Sequence, residues 1–92
     1  MEQDNARILA LHALGWLAGD DELFAAFLGM TGASAADIRA TAGQPALMIS
    51  VLDFILQRDD WVLACAAAAG VRPEEIGAAR ARLGGRDQMH WT

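Results

Sequence analysis

The sequence predicts an all-α protein, a compact bundle of six helices built from two pseudo-repeated three-helix units. Apolar residues recur at the spacing of a helix face, no segment alternates as a strand does, and alanine, the strongest helix former, supplies 20 of the 92 residues. A chain of this length has room for one packed core, which we assign to a single domain over residues 1–85. Residues 86–92 lack helical periodicity, so we expect a flexible C-terminal tail.

The first two helices are predicted from their apolar faces and their end signals. Asp4 is the expected N-cap of a helix that continues to residue 18, and this helix is apolar over more than half of its circumference, so it should be largely buried. The second helix should begin at Asp20 or Asp21, because carboxylates favour the positive end of the helix dipole. Gly32 should end it.

The third and fourth helices have the clearest start signals. Ser34 followed three residues later by Asp37 is typical of a capping box, and it predicts a short third helix that ends near Gly43. Pro45 fits the first position of a fourth helix, where its missing N–H costs nothing. This helix has only a narrow polar stripe, so we expect it at the centre of the fold. The stripe consists of Ser50, Asp53 and Gln57.

The fifth and sixth helices are again bounded by aspartate, proline and glycine. Asp59 or Asp60 should cap an alanine-rich fifth helix that ends at Gly70. Pro73 should start the sixth helix. We expect that helix to end at two successive glycines, Gly84 and Gly85.

A displacement of 38 residues aligns the sequence with itself and predicts an internal duplication. Seven of the 35 pairs that begin at residues 8–42 are identical; two of these are alanine pairs, and the other five fall on a helix-start aspartate, a helix-stop glycine and core leucines and isoleucine. We therefore predict two three-helix units, about residues 6–43 and 44–85. Their first helices should pack against each other and share one core.

Several of these segments also carry a family resemblance. They are the aspartate pair at 20–21, Met-Thr-Gly at 30–32, Val-Leu-Asp-Phe-Ile-Leu at 51–56 followed by Asp59, and Gly-Val-Arg-Pro-Glu-Glu at 70–75. Over about residues 6–85 the chain resembles the small bacterial family catalogued as domain of unknown function 3572. The resemblance implies a compact helical bacterial protein and transfers no catalytic residue.

Charge and hydropathy argue against two classes of partner. Twelve carboxylates outnumber seven arginines, giving a net charge of −5, so we expect no nucleic acid, whose phosphates require clustered cations. The longest apolar run, residues 61–71, is 11 residues long, where a bilayer span needs about 20, so we expect no membrane partner. A lone Cys65 and the lack of a secretory signal pattern predict a cytoplasmic protein.

No motif in the sequence identifies a catalytic, metal or cofactor site. There is no Cys/His zinc spacing, no EF-hand loop and no glycine-rich phosphate loop before a helix. We therefore expect no cofactor, no metal and no enzymatic activity.

The favoured hypothesis is a non-catalytic protein-interaction or regulatory module that uses an exposed apolar helix face. A domain this small cannot easily bury two helices that are apolar most of the way round, so another protein, or a second copy in a homodimer, would cover the excess. The candidate interaction surface comprises Trp16, His12, Ser50, Asp53, Trp61 and Arg80.

The alternative is a small-ligand-binding protein or enzyme with a pocket between the repeats. His12 and Ser50 occupy equivalent positions in the two units, so they would approach each other if the first and fourth helices pack together, with Asp53 as a third member. These three side chains would lie at the mouth of the pocket. Its predicted lining is Trp16, Phe54 and Trp61.

Overall fold

Six α-helices make up the regular structure in the computed structural model, which describes the backbone of residues 1–90 and the side chains of residues 1–84. They are α1 (Gln3–Ala18), α2 (Asp21–Thr31), α3 (Ala35–Ala40), α4 (Pro45–Ile55), α5 (Asp59–Ala69) and α6 (Glu74–His90). No strand occurs within residues 1–90. The radius of gyration is 12.4 Å, close to the ~12 Å of a compact domain of this length. The predicted all-α six-helix bundle is confirmed.

Local side-chain signals set the starts of α2, α3 and α4 as predicted. The Asp20 carboxylate accepts a hydrogen bond from the Leu23 N–H at 3.1 Å. Ser34 and Asp37 form a capping box, because each side chain accepts the backbone N–H of the other residue, at 3.1 and 3.0 Å. Hydrogen bonding of the Asp37 carboxylate to Ser34, first to its backbone N–H and second to its side chain, holds the pKa of Asp37 below its usual value. Pro45 is the first residue of α4.

Two predicted N-caps are wrong. Helix α1 is capped by Glu2 and α5 by Arg58, and neither side chain makes a capping hydrogen bond. Asp4 and the two aspartates of α5 instead lie in the first turn of their helices, where a carboxylate still favours the positive end of the dipole. In α5 the Asp60 carboxylate is engaged by the Arg58 guanidinium, at 3.0 and 2.9 Å.

Helix α5 ends at a glycine in the left-handed region. Gly70 has φ 73°, and the Val71 N–H donates to the Ala66 carbonyl at 3.0 Å, which closes the C-terminal turn of α5. At the other side of the turn, the Glu75 carboxylate accepts the Arg72 N–H at 2.9 Å and begins α6. These contacts close the end of α5 and the start of α6.

The predicted end of the sixth helix is confirmed in part. The backbone leaves helical torsions at Gly84 (φ −115°, ψ 18°), as predicted, but a second helical segment follows this kink and continues to His90. The predicted tail begins within this helix, and its last two residues, Trp91 and Thr92, lie outside the described residues.

Helices α1 and α4 form the centre of the bundle. They contact each other, and both contact α5 and α6, while α2 also packs against α1. Each contributes five buried residues: Ala6, Leu9, Ala10, Ala13 and Leu17 on α1, and Met48, Val51, Leu52, Phe54 and Ile55 on α4. The expectation that α1 is largely buried is wrong for one face, because Ile8 and Leu11 are about half exposed.

The internal duplication stays a prediction. Its two first helices, α1 and α4, do pack together. Their lengths differ, however, at 16 and 11 residues, and the corresponding third helices, α3 and α6, have 6 and 17 residues. Corresponding helices of the two predicted units therefore have similar residues at their ends but unequal lengths.

The left-handed glycine after α5 gives a direct test of the fold. We expect Gly70→Ala to lower the free energy of unfolding by about 1 kcal/mol, because an L side chain is disfavoured at this φ. The matched control is Gly15→Ala, in the interior of α1, where a Cβ meets no atom within 4 Å. That change should raise the stability by about 0.5–1 kcal/mol. Urea unfolding followed by circular dichroism measures both, and equal effects would contradict this account.

Candidate functional site

A groove of about 510 Å³ opens between α1 and the corner that joins α5 to α6. One wall is α1, which lines the groove over about two turns, from Asn5 to His12. The other wall is the corner itself, from Ala69 to Arg72, and the first turns of α6. The volume lies in the range of small-molecule and peptide sites, about 300–1,000 Å³.

The groove has an apolar surface that reaches the protein core. Its wall residue Leu9 is also part of the core, whereas Met1 and Ile8 are 45% and 53% exposed. Small side chains at the ends of the facing helices, Ala69 and Ala78, leave the space open. The apolar lining residues are Met1, Ile8, Leu9, Ala69, Val71 and Ala78.

Four polar residues lie among these apolar ones: Asn5, His12, Arg72 and Glu75. The Arg72 guanidinium makes one ion pair within residues 1–84, with Glu75 at an Nε–Oε2 distance of 3.7 Å, and the Arg72 side chain is 78% exposed. The side chains of Asn5 and His12 make no hydrogen bond within residues 1–84. The guanidinium, amide and imidazole groups are therefore available to an occupant of the groove.

The predicted trio of His12, Ser50 and Asp53 is not assembled. His12 lines the groove, but the Ser50 hydroxyl donates to the Ala46 carbonyl within α4, at 3.0 Å. The Asp53 carboxylate accepts a hydrogen bond from Arg80 Nε at 2.6 Å. Within residues 1–84 no hydrogen bond joins any two of these three side chains. Ser50 is bonded to Ala46 and Asp53 to Arg80 instead.

The aromatic residues predicted to line a pocket form a packed cluster instead. Phe54 is buried and stacks on Trp61, with ring centroids 4.9 Å apart, and Phe27 meets Phe54 edge to face at 5.4 Å. The Arg58 guanidinium covers Trp61, 4.9 Å from its ring centre. Trp16 is half-buried against the core. None of these aromatic residues lines the groove.

Arg80, predicted to lie on an interaction surface, links α4 to α6. Its side chain is 21% exposed and pairs with Asp53. A Cβ built on Gly84 would overlap Arg80 Nη1 and approach Ile49 Cδ1 to 3.5 Å. The guanidinium therefore occupies space that only a glycine leaves free, and its Nη1 has no hydrogen-bond partner within the described residues.

Sequence reasoning missed most of the groove. Of the six predicted surface residues only His12 lines it, whereas Ile8, Arg72 and Glu75 were not selected. One available signal was Ile8, a large apolar residue among the polar residues that begin α1. The pairing of α1 with the α5–α6 corner had no signal in the sequence, because it depends on how separate helices pack.

Two further observations limit the chemistry of the described part of the chain. No group of three or more His, Cys, Asp or Glu side chains that could hold a metal ion occurs there. None of its helices has both the length and the apolar character that a membrane crossing requires.

The Arg80–Gly84 contact can be tested by a double-mutant cycle. We expect Gly84→Ala to destabilise the protein by about 1 kcal/mol or less, because the new methyl group displaces the flexible end of the Arg80 side chain and weakens its partly exposed ion pair with Asp53. In an Arg80→Ala background, the same substitution should have a much smaller effect on the free energy of unfolding. Chemical denaturation measures all four proteins, and the same cost in both backgrounds would rule out the contact.

Cys65 is expected to be chemically inert in the folded protein. Burial raises the pKa of its thiol to about 11, so at pH 8 the reactive thiolate is suppressed and the sulfur is shielded. An aromatic disulfide reagent at pH 8 should label the native protein slowly and the protein in guanidinium chloride at once. Equally fast labelling of both states would contradict the burial of this side chain.

The chain was compared with protein families, curated proteins and solved structures. Its sequence matches the family model described as "Protein of unknown function (DUF3572)" over residues 3–86. No curated protein and no solved structure matches it. The family match extends from the first residue of α1 into the C-terminal part of α6, so it includes both walls of the groove. The chain therefore belongs to the DUF3572 family.

Proposed function

We propose that the chain is a non-catalytic, cytoplasmic protein-interaction module, and that the groove between α1 and the α5–α6 corner receives an apolar helical segment of another protein. The observation that carries this proposal is the exposure of Ile8 and Met1 beside a groove whose wall includes the core residue Leu9. Exposed apolar side chains along a concave surface are typical of a binding site. Nucleic acid is not the proposed partner, because the chain is acidic.

The dimensions of the groove support a helix as its occupant. The part of α1 that lines it, from Asn5 to His12, rises by about 10 Å, which is the length of a helical segment of about two turns. A groove between two helices can receive the apolar face of an amphipathic helix, whose contacts recur every three or four residues. Covering Ile8 and Met1 would remove apolar surface from water and contribute to affinity.

The contacts of the potential nucleophiles support a non-catalytic role. The Ser50 hydroxyl is bonded to its own helix, and the Cys65 thiol is buried with its pKa raised. A nucleophile needs a base within hydrogen-bonding distance, and His12 makes no hydrogen bond to either residue.

A second candidate is the binding of a small molecule in the same groove. The volume of about 510 Å³ favours it, because this is a usual size for a ligand site. The polar groups of Asn5, His12 and Arg72 would orient such a ligand. In this case the groove would be filled by a molecule and not by a protein segment.

Site-specific photo-crosslinking in cells of the source organism tests the proposal. A photoreactive amino acid at position 12 should capture a defined protein, and the same group at position 30 should not, because Met30 is 56% exposed but lies outside the groove. Ile8→Gln should reduce capture from position 12 about tenfold, and Met30→Gln should leave it unchanged. Identical products from both positions, or capture unaffected by Ile8→Gln, would refute the proposed surface.

A further inference from the structure

The last member of the α4 polar stripe, Gln57, makes a contact with a different helix. Its side-chain amide donates a hydrogen bond to the sulfur of Met30 on α2, with an Nε2–Sδ distance of 3.7 Å. We propose that Met30 is a site of reversible oxidation by peroxide, and that the Gln57 amide receives the oxygen of the resulting sulfoxide. This inference is independent of the proposed function, because neither residue lines the groove.

The side chain of Met30 is open to a small oxidant. Met30 lies in the last turn of α2 and is 56% exposed. Met48, in contrast, is 2% exposed and belongs to the core, where it is shielded from solvent. Oxidation of a thioether requires contact between the oxidant and the sulfur, so exposure decides which methionine reacts. We therefore expect Met30 to react and Met48 to be protected.

The Gln57 amide is held against an acceptor of low strength. A thioether sulfur accepts hydrogen bonds only weakly, whereas an amide N–H is an ordinary strong donor. The contact joins the end of α2 to the residue that follows Leu56, the C-cap of α4, across 27 positions of sequence. Holding a long exposed side chain in one position costs conformational entropy. An oxygen atom on this sulfur would give the same N–H a stronger acceptor.

Oxygen transfer from hydrogen peroxide would supply that acceptor. A lone pair of the Met30 sulfur attacks one peroxide oxygen, and the O–O bond breaks as the S–O bond forms. The departing hydroxide takes the proton of the transferred oxygen and becomes water. Sulfur is thereby oxidised to the sulfoxide and peroxide is reduced. The sulfoxide is polar where the thioether was apolar, and a small rotation of the exposed side chain brings its oxygen to the Gln57 N–H.

The fold around Met30 has room for the added oxygen. Sulfoxide formation disrupts a packed core, but the buried residue of α2 is Phe27, about one turn before Met30. The end of α2 is closed by other groups, because the Thr31 hydroxyl donates to the Phe27 carbonyl at 2.9 Å and the Gly32 N–H to the Leu28 carbonyl at 2.8 Å. Oxidation should therefore strengthen the contact between α2 and the end of α4 and leave the core intact.

Exposure also makes the modification reversible. Methionine sulfoxide reductases return the thioether, each acting on one epimer of the sulfoxide. A dithiol supplies the electrons: it is oxidised to a disulfide, and the sulfoxide oxygen leaves as water. These enzymes must reach the modified side chain, and the position of Met30 at the exposed end of a helix allows that approach.

The first test treats the full chain with hydrogen peroxide and follows sulfoxide at each methionine by mass spectrometry of its peptides. We expect Met30 to react at least tenfold faster than Met48, because only Met30 is exposed. Reductases of both epimer specificities, supplied with a dithiol, should then remove most of the sulfoxide at Met30 from the folded protein.

The second test measures the role of Gln57 by NMR and thermal unfolding. Oxidation should move the Gln57 side-chain amide proton downfield, and Met30→Leu should abolish this shift. The change in Tm on oxidation should be about 4 °C more favourable in the wild type than in Gln57→Leu, as expected for one hydrogen bond. The matched control, Gln3→Leu, removes an exposed amide at the start of α1 and should respond as the wild type does. Met30→Leu, oxidised in parallel, gives the contribution of the other residues.

The possible results separate the parts of this inference. Reaction of Met30 no faster than that of Met48 would overturn the modification site. Fast oxidation with an unmoved Gln57 amide proton, and with the same change in Tm in the wild type and Gln57→Leu, would overturn the role of the amide. A sulfoxide that the reductases leave in place would overturn reversibility.

Discussion

The contact between α1 and α4 is the constraint on which the rest of the bundle depends. The buried face of α1 is mostly alanine, whereas α4 contributes larger side chains such as Met48, Leu52 and Phe54. Small residues on one helix and large ones on the other allow close approach without voids. Helices α5 and α6 then pack against both members of this pair. The remaining α2 and α3 close the core with one buried residue each, Phe27 and Ile38.

The same arrangement determines the surface of the molecule. Alanines form most of the buried face of α1, whereas the larger apolar residues Ile8 and Leu11 lie outside that face and stay about half exposed. The composition of 54% apolar residues therefore does not correspond to an unusually large core. Part of it is alanine that buries little area, and part is exposed beside the groove. The interaction hypothesis thus rests on the large apolar residues of α1 that the contact between α1 and α4 leaves exposed.

Structural features that depend on hydrogen bonds between residues close in sequence could be predicted from the sequence. Features that depend on contacts between different helices could not. The caps at Asp20 and Ser34 and the glycine turn at Gly70 are local, so their residue types alone identify them. The pairing of Asp53 with Arg80 spans 27 positions and had no such signal. Gly84 interrupts the helix as its residue type predicts, but its second role, making room for the Arg80 guanidinium, depends on that pairing and had no local signal. For the same reason the sequence placed His12 correctly on α1 but associated it with the wrong neighbours.

Leu9 belongs both to the core and to the wall of the groove, and this shared position links binding to folding. An occupant that contacts this wall requires α1 to be packed on α4, so it binds the native state and not the unfolded chain. A ligand with that preference stabilises the fold by RT ln(1 + [L]/Kd), which is about 2.7 kcal/mol at 100 times Kd. For a domain of this size, such a gain raises the melting temperature by roughly 10–20 °C. The thermal stability of the protein is therefore a reporter of occupancy, whatever molecule fills the groove.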